Sequence, residues 1–238
     1  MEESPQPKRV LAVAAHPDDV DFGAAGTIAR WTAEGIDVAY CIVTDGAAGA
    51  VERETDLTTL AGMRQTEQRK AAAEVGVSDV TFLGYPDGRL VVSLDLRRDL
   101  SRVIRTVKPD RVLCQSPERY WERIRASHPD HLAAGEATLQ AVYPDARNPF
   151  AHPELLAEGL EPHEVGEVWM MASPRADRFV DITEVIERKL AALRAHETQV
   201  GTDDHIEEFV RGWTRATAER AGYGPDRYAE VFQVIDTH

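Results

Sequence analysis

Arg9-Val10-Leu11-Ala12-Val13-Ala14-Ala15 runs straight into His16-Pro17-Asp18-Asp19-Val20-Asp21, with no spacer between the apolar run and the ionisable cluster. An uninterrupted apolar run of strand length, stopped by a turn, suits a parallel strand buried on both faces. The polar cluster then falls at the carboxyl end of that strand, where open α/β sheets hold their ligands.

The same grammar repeats downstream. Residues 38–44 read as a strand that leads into Asp45-Gly46-Ala47-Ala48-Gly49. Residues 80–83 read as a strand followed by Gly84-Tyr85-Pro86-Asp87-Gly88, and residues 111–115 as a strand before a polar loop with Arg119, Tyr120 and Trp121. Helix patterns lie between them, over 22–33 closed by Gly35, 60–75 closed by Gly76, and 94–107 closed by Pro109. This alternation predicts an α/β class, a Rossmann-like, mostly parallel sheet flanked by helices, with right-handed crossovers. The polar clusters after Ala15, Thr44, Leu83 and Gln115 all fall at carboxyl ends of strands, which sets the active site there. In the last third, 165–172, 179–182 and 231–235 read as strands and 182–196 as a helix. Residues 145–165 form a loop-rich excursion that, with 200–225, is expected to shape the pocket. Residues 1–238 read as one domain, with 1–8 as a polar tail.

Composition narrows the function. A net charge of −14 opposes a nucleic-acid partner, which needs a basic face. The N-terminus shows no apolar signal region, and no run approaches the ~18 apolar residues of a membrane span. The expectation is a cytoplasmic protein with no membrane partner. Cys41 and Cys114 sit inside apolar strand patterns and read as buried, reduced thiols rather than a disulfide framework.

The chemistry concentrates in two clusters. His16 with Asp18, Asp19 and Asp21 offers imidazole and carboxylate donors suited to zinc or ferrous iron, on a turn stiffened by Pro17. One aspartate there would be read as a helix cap. Three beside a histidine exceed what a cap requires. The second cluster, Ser127-His128-Pro129-Asp130-His131, places two histidines three apart, on one face if a helix starts there. Two clusters that each contain His-Pro-Asp point to one shared site.

These motifs resemble the PIG-L/LmbE-like deacetylases. Ala15 through Asp19 match the family's AHPDD element, and His128 with His131 match its His-x-x-His element. The resemblance extends to Thr44-Asp45-Gly46, to Arg64 and Glu67, to the turn with Asp87, to the AHETQ segment that includes His196, and to the AEVF segment near the C-terminus. It implies His16, Asp19 and His131 as zinc ligands, with ferrous iron as an alternative ion. It implies Asp18 as general base, and His128, in its protonated form, as oxyanion stabiliser or proton donor. It implies Asp130 as the residue that orients His128, and Arg64 and Asp87 as contacts to sugar hydroxyls or phosphate. The implied reaction is zinc-assisted removal of an N-acetyl group from an N-acetylglucosamine-type conjugate, in a chain that assembles as a homo-oligomer. The same site would serve an amidase acting on a thiol conjugate or an acylated natural product. Val20 and Asp21 stand where the family often has glutamate, and Ala47 where it often has an acidic residue after Asp45-Gly46, which bears on substrate preference.

Other classes fit less well. A non-haem iron oxygenase also uses two histidines and a carboxylate, but such sites usually sit on all-β barrels. A dinucleotide binder needs G-x-G-x-x-G after the first strand, and this chain has His-Pro-Asp-Asp there; Gly23 and Gly26 read as helix-packing positions. A non-catalytic metal protein would need neither Asp18 nor His128. His152 and His163 read as exposed or rim residues, and His196 from its spacing alone as a helix C-cap. Trp121 is the best candidate for a sugar platform, while Trp169 and Trp213 read as core or rim.

Overall fold

Strand β1 (Arg9–Ala14) is buried on both faces, and its alternation divides the core. Val10, Ala12 and Ala14 face one side of the sheet with Tyr40 and Ile42, while Leu11, Val13 and Ala15 face the other with Cys41 and Val43. A strand covered on both faces has no room for polar side chains, which is why its sequence is a continuous apolar run.

The computed structural model of the chain describes residues 6–50, 54–201 and 205–238. After β1 come α1 (Asp19–Ala33), β2 (Asp37–Thr44), α2 (Leu57–Glu74), β3 (Asp79–Tyr85), α3 (Leu94–Val107) and β4 (Arg111–Gln115). The chain continues through α4 (Pro129–Gln140), α5 (Pro153–Ala157), β5 (Glu167–Met171), β6 (Arg178–Asp181), α6 (Ile186–Arg194), α7 (Glu197–Val200), α8 (His205–Arg220) and β7 (Ala229–Asp236). The seven strands form a sheet in the order β3-β2-β1-β4-β5-β7-β6. β1 through β5 pair parallel, and β7 runs antiparallel to both β5 and β6. The expected α/β, mostly parallel sheet flanked by helices is what the chain forms. All seven expected strands are present, displaced by a few residues at their ends.

The strand order decides where a site can lie. From β1 the chain steps outward to β2 and β3, then returns to place β4 on the other side of β1. The crossover helices therefore diverge above β1 and β4, and open a crevice at their carboxyl ends. The two chemical clusters follow those two strands. The ends are tied directly: Gln115 Oε1 accepts the Ala15 N–H at 2.9 Å.

Close packing fixes the helices that carry the clusters. A Cβ on Gly23 would lie 2.4 Å from Met171 Sδ, and one on Gly26 would lie 2.7 Å from Ile182 Cδ1, so these glycines do serve helix packing. Cys41 and Cys114 are buried free thiols, each pushed up to about 12 by burial.

Several expectations are corrected. The 145–165 excursion does not border the crevice. α4 runs away from the carboxyl ends of the strands, so the chain that follows it emerges at their amino ends. There His163 Nε2 meets Pro109 O at 2.8 Å, just before β4. Arg105, buried in the last turn of α3, gathers the carbonyls of Asp145, Ala146, Asn148, Ala151 and Leu160. His152 is not a free surface residue but meets Asp145 Oδ2 at 3.2 Å. Within the expected tail, Lys8 is fixed by its N–H to Asp110 Oδ2 at 2.7 Å, and residues 1–5 lie outside the described residues. Within 200–225, α8 is a full helix that the sequence reading did not assign, and residues 202–204 lie outside the described residues. Among the described residues, no helix is long and apolar enough to cross a membrane.

A Cβ on Gly135 in α4 would lie 2.3 Å from the backbone oxygen of Gln115. The acceptor is backbone at a strand end and cannot step aside. We expect Gly135→Ala to force α4 off β4 and lower stability by about 1–3 kcal/mol, measured by urea unfolding.

Candidate active site

The turn between β1 and α1 is made at Asp18, with φ 95° and ψ −28°. A non-glycine residue at positive φ costs of order 1–3 kcal/mol and persists only where its surroundings hold it. Two side chains hold this one, with Asp21 and His196 behind them. Arg64 from α2 donates to Pro17 O at 2.6 Å, to Gly46 O at 2.6 Å and to Asp18 Oδ2 at 3.1 Å. Gln68, one turn along α2, accepts the Asp18 N–H at 2.8 Å through Oε1 and donates to Asp21 Oδ2 at 2.7 Å through Nε2. The same Asp21 oxygen lies 2.8 Å from His196 Nε2, and both side chains are fully buried. Gly46 is required by this arrangement, because a Cβ there would lie 2.9 Å from Arg64 Nη1.

Asp18 occupies the N-cap position of α1 but makes no side-chain cap bond. Its carboxylate is therefore not spent on the helix, and the capping alternative does not hold. Asp19 turns back instead. Its Oδ2 accepts the His16 N–H at 2.7 Å and lies 3.2 Å from His16 Nδ1, while its Oδ1 lies 3.0 Å from His131 Nε2.

The second cluster arrives on the first turn of α4. Pro129 starts the helix, where its missing N–H costs nothing. His128 is the N-cap, and its Nδ1 accepts the Asp130 N–H at 3.2 Å. Ring nitrogens of His16, His128 and His131 all lie within 4.8 Å of one another. The other edge of His16, Nε2, faces Asp87 Oδ1 at 3.0 Å and Asp130 Oδ2 at 3.2 Å.

The donor set suits a divalent cation. Imidazole nitrogens and carboxylate oxygens are the donors that zinc takes. Asp19 spans the two rings through separate oxygens, Oδ2 to His16 at 3.2 Å and Oδ1 to His131 at 3.0 Å, which brings the three side chains to one place. Electrostatics agree. Burial opposes a charged His16, but the bonds and charges of Asp19 and Asp87 outweigh it and push its pKa up to about 11. Burial likewise opposes charge on His131, and Asp19 reverses it and raises the pKa. The pocket thus favours positive charge at the position these side chains surround.

The two adjacent aspartates are driven apart. Burial and the charge of Asp19 push Asp18 up to about 7, against the pull of Arg64, His196 and His16. Burial would raise Asp19 too, but its contacts with His131 and His16 hold it well below the usual carboxylate range. Burial lowers the His128 pKa, and the neighbouring His16 and His131 lower it further. An imidazole whose Nδ1 accepts a backbone N–H carries its own hydrogen on Nε2. His128 therefore stands as a neutral donor rather than the protonated form that the resemblance implied.

All eight expected residues gather here, with three changes of partner. Asp130 does not orient His128 through its side chain. Its carboxylate reaches across to His16, fixed there by the N–H groups of Gly88 at 2.7 Å and Leu90 at 3.2 Å. Arg64 is only 3% exposed, and its bonds go to the Asp18 turn rather than outward. Asp87 presents Oδ1 to His16. Spacing gave no sign of Gln68 or Asp21 as the brace behind Asp18, and it misread His196 as a C-cap. The AHETQ segment was the available signal, since Thr198 within it also binds Glu67 Oε2 at 2.6 Å. Trp121 stays exposed beside the second cluster, and Trp169 is core.

The chain is similar to known proteins along most of its length. The family described as PIG-L, GlcNAc-PI de-N-acetylase, matches residues 11–142. A diacetylchitobiose deacetylase of Thermococcus kodakarensis is 35% identical over 230 residues, 96% of this chain and 83% of that one. A 1D-myo-inositol 2-acetamido-2-deoxy-alpha-D-glucopyranoside deacetylase of Rhodococcus erythropolis is 30% identical, covering 85% of each chain. The N,N'-diacetylchitobiose deacetylase of Pyrococcus horikoshii, solved with its inhibitor MPG, superimposes with a TM-score of 0.88 at 30% identity. That match covers 97% of this chain and 84% of the other.

Arg64 serves three acceptors from a planar fork, which a lysine ammonium cannot reproduce. We expect Arg64→Lys to destabilise the fold by about 1–3 kcal/mol in urea unfolding, because buried acceptors are left unpaired. A variant as stable as the parent, with only a raised Michaelis constant, would return Arg64 to a direct substrate role.

Proposed function

The chain belongs to the PIG-L family of GlcNAc-PI de-N-acetylases, and we propose that it is a zinc-dependent hydrolase that removes the N-acetyl group from an N-acetylglucosamine-type conjugate. One observation carries the reading. Asp19 joins the His16 and His131 rings at 3.2 and 3.0 Å, one residue from a carboxylate that burial lifts to about 7. The relatives named above act on diacetylchitobiose and on a 2-acetamido glucoside, which supports an acetylated amino sugar as the substrate class.

His16, Asp19 and His131 would hold the ion, a set of three protein ligands as catalytic zinc sites use. When bound, a divalent cation there supplies Lewis-acid polarisation of the acyl oxygen and acidifies water. Zinc is our choice, and ferrous iron fits the same donors. Asp18 then has the work of a base: it takes a proton from water as the oxygen attacks the acetyl carbon. A base is most useful with a pKa near the working pH. The oxyanion that forms needs a donor, and the Nε2–H of neutral His128 can supply it. Asp18, now protonated, returns its proton to the departing amine, so that acetate and a free amino sugar leave.

The test is amine release from N-acetylglucosamine, diacetylchitobiose and an N-acetylglucosaminyl inositol, using metal-stripped protein with and without zinc. We expect zinc-dependent release from at least one. Asp18→Asn should keep its zinc and lose about 10²–10⁴ in turnover. His131→Ala should lose the metal itself, read by elemental analysis after gel filtration. His128→Ala should keep zinc and lose roughly 10²–10³ in turnover, as removal of an oxyanion donor does. Stoichiometric zinc with no release from any acetylated amine would overturn the proposal.

A further inference from the structure

His16 is approached on both edges. Nδ1 lies 3.2 Å from Asp19 Oδ2, while Nε2 lies 3.0 Å from Asp87 Oδ1 and 3.2 Å from Asp130 Oδ2. One ring N–H can serve one of these two carboxylates, and their other bonds decide which. Asp130 is already supplied on both oxygens, Oδ1 by the Leu90 N–H and Oδ2 by the Gly88 N–H. Asp87 Oδ2 accepts the Ala48 N–H at 3.0 Å. Among the described residues, Asp87 Oδ1 meets no donor except His16. The same count argues against a second cation between His16, Asp87 and Asp130, since both Asp130 oxygens are already directed at amides.

We propose that Asp87 is a positioning residue for the metal site: it accepts the Nε2–H of His16, fixes that tautomer, and leaves the Nδ1 lone pair facing the ion beside Asp19. The proposal rests on the reading of His16 as a ligand. A histidine whose far N–H is held by a carboxylate is a more basic and better-oriented ligand, and loss of such a partner typically weakens metal binding about 10–100-fold. The loops that deliver Asp87 are braced for this task. Asp45 Oδ1, at the end of β2, accepts the N–H of Ala47 at 3.0 Å and of Asp87 itself at 3.2 Å. With the Ala48 bond, these contacts lock the loop after β2 to the loop after β3, so that a ligand just after β1 is aligned from β2 and β3.

Zinc affinity of the full chain, measured by competition with a chromogenic chelator, is the test. Parent protein should bind one zinc, and Asp87→Ala should bind it about 10–100-fold more weakly. Asp87→Asn keeps an acceptor oxygen but not its charge and should fall between them. In ¹⁵N-histidine spectra of the zinc-loaded parent and Asp87→Asn, one ring should show a protected Nε2–H with its hydrogen-free nitrogen at Nδ1, identified by its loss in His16→Gln. In zinc-loaded Asp87→Ala that Nε2–H should exchange with solvent faster. Should Asp87→Ala not fold, the Asn variant carries the comparison alone. Unchanged zinc affinity in the folded variants, with a raised Michaelis constant, would overturn the proposal and make Asp87 a substrate contact. A parent that binds no zinc would instead overturn the metal site, a failure separable from this one.

Discussion

The left-handed turn at Asp18 is the constraint on which the site depends. It changes strand to helix within residues 15–18, between Ala14 and Asp19. It also sends two adjacent carboxylates in different directions: Asp19 folds back onto His16 and His131, while Asp18 faces Arg64. A relaxed backbone would leave both aspartates free to cap α1. The strain is offset by bonds that come almost wholly from α2. Hydrogen bonds to charged groups contribute about 1.5–3 kcal/mol each and neutral ones about 1, so Arg64 and Gln68 together suffice to hold the turn. A further support comes from behind. Lys189 donates to the carbonyls of Asp21 and Phe22, and Glu230 accepts the N–H groups of Gly26 and Thr27. The Lys189–Glu230 pair is itself buried, at 2.6 Å. Such a pair adds little compared with apolar packing, but losing one member strands a buried charge. It thus fixes α1 against α6 and β7 in one position.

From that turn follows the division of labour between neighbours. Asp18 and Asp19 are chemically identical and adjacent, yet one is raised to about 7 and the other held far below the usual range. Partners make the difference. Asp19 has two imidazoles against its oxygens. Asp18 has a single guanidinium that is shared with two backbone carbonyls, and it bears the repulsion of Asp19. Environments that push two carboxyl groups apart in this way mark an acid–base role for the raised one.

Much of this was legible in the sequence, because the determinants are local. Apolar runs that end in polar clusters gave the strands, their parallel order and the end of the sheet that carries the site. What escaped was what depends on chain reversal or on long reach. α8 shows polar residues on most of its surface and buries only a narrow stripe that includes Val210, Thr214 and Ala218, so its pattern is weak. Nothing in the composition of the 145–165 excursion tells which end of the sheet it occupies. The direction of α4 decides that, and Arg105 then anchors the excursion through backbone carbonyls that carry no sequence signal. Arg64 carries a related ambiguity. A buried arginine and a ligand-binding arginine look the same in a sequence, and only the count of internal acceptors separates them.

The repeated His-Pro-Asp shows how far a motif carries. Its recurrence correctly predicted one shared site, because β1 and β4 are neighbours and both clusters sit at their carboxyl ends. It says nothing of roles, because the two copies are set in different backbones. In the first, His16 lies just past the end of a strand and Pro17 precedes a left-handed residue, so the histidine points into the crevice and the following carboxylates diverge. In the second, His128 is the N-cap of α4 and Pro129 its first residue. There the backbone N–H of Asp130, not its carboxylate, meets His128, and the carboxylate is thrown across the crevice to His16. A helix start brings the N2 amide back to the cap residue while its side chain points outward. The same tripeptide therefore supplies an imidazole in the crevice with diverging acids in one place and a helix-capping imidazole with a crossing acid in the other, and the backbone rather than the letters decides the arrangement.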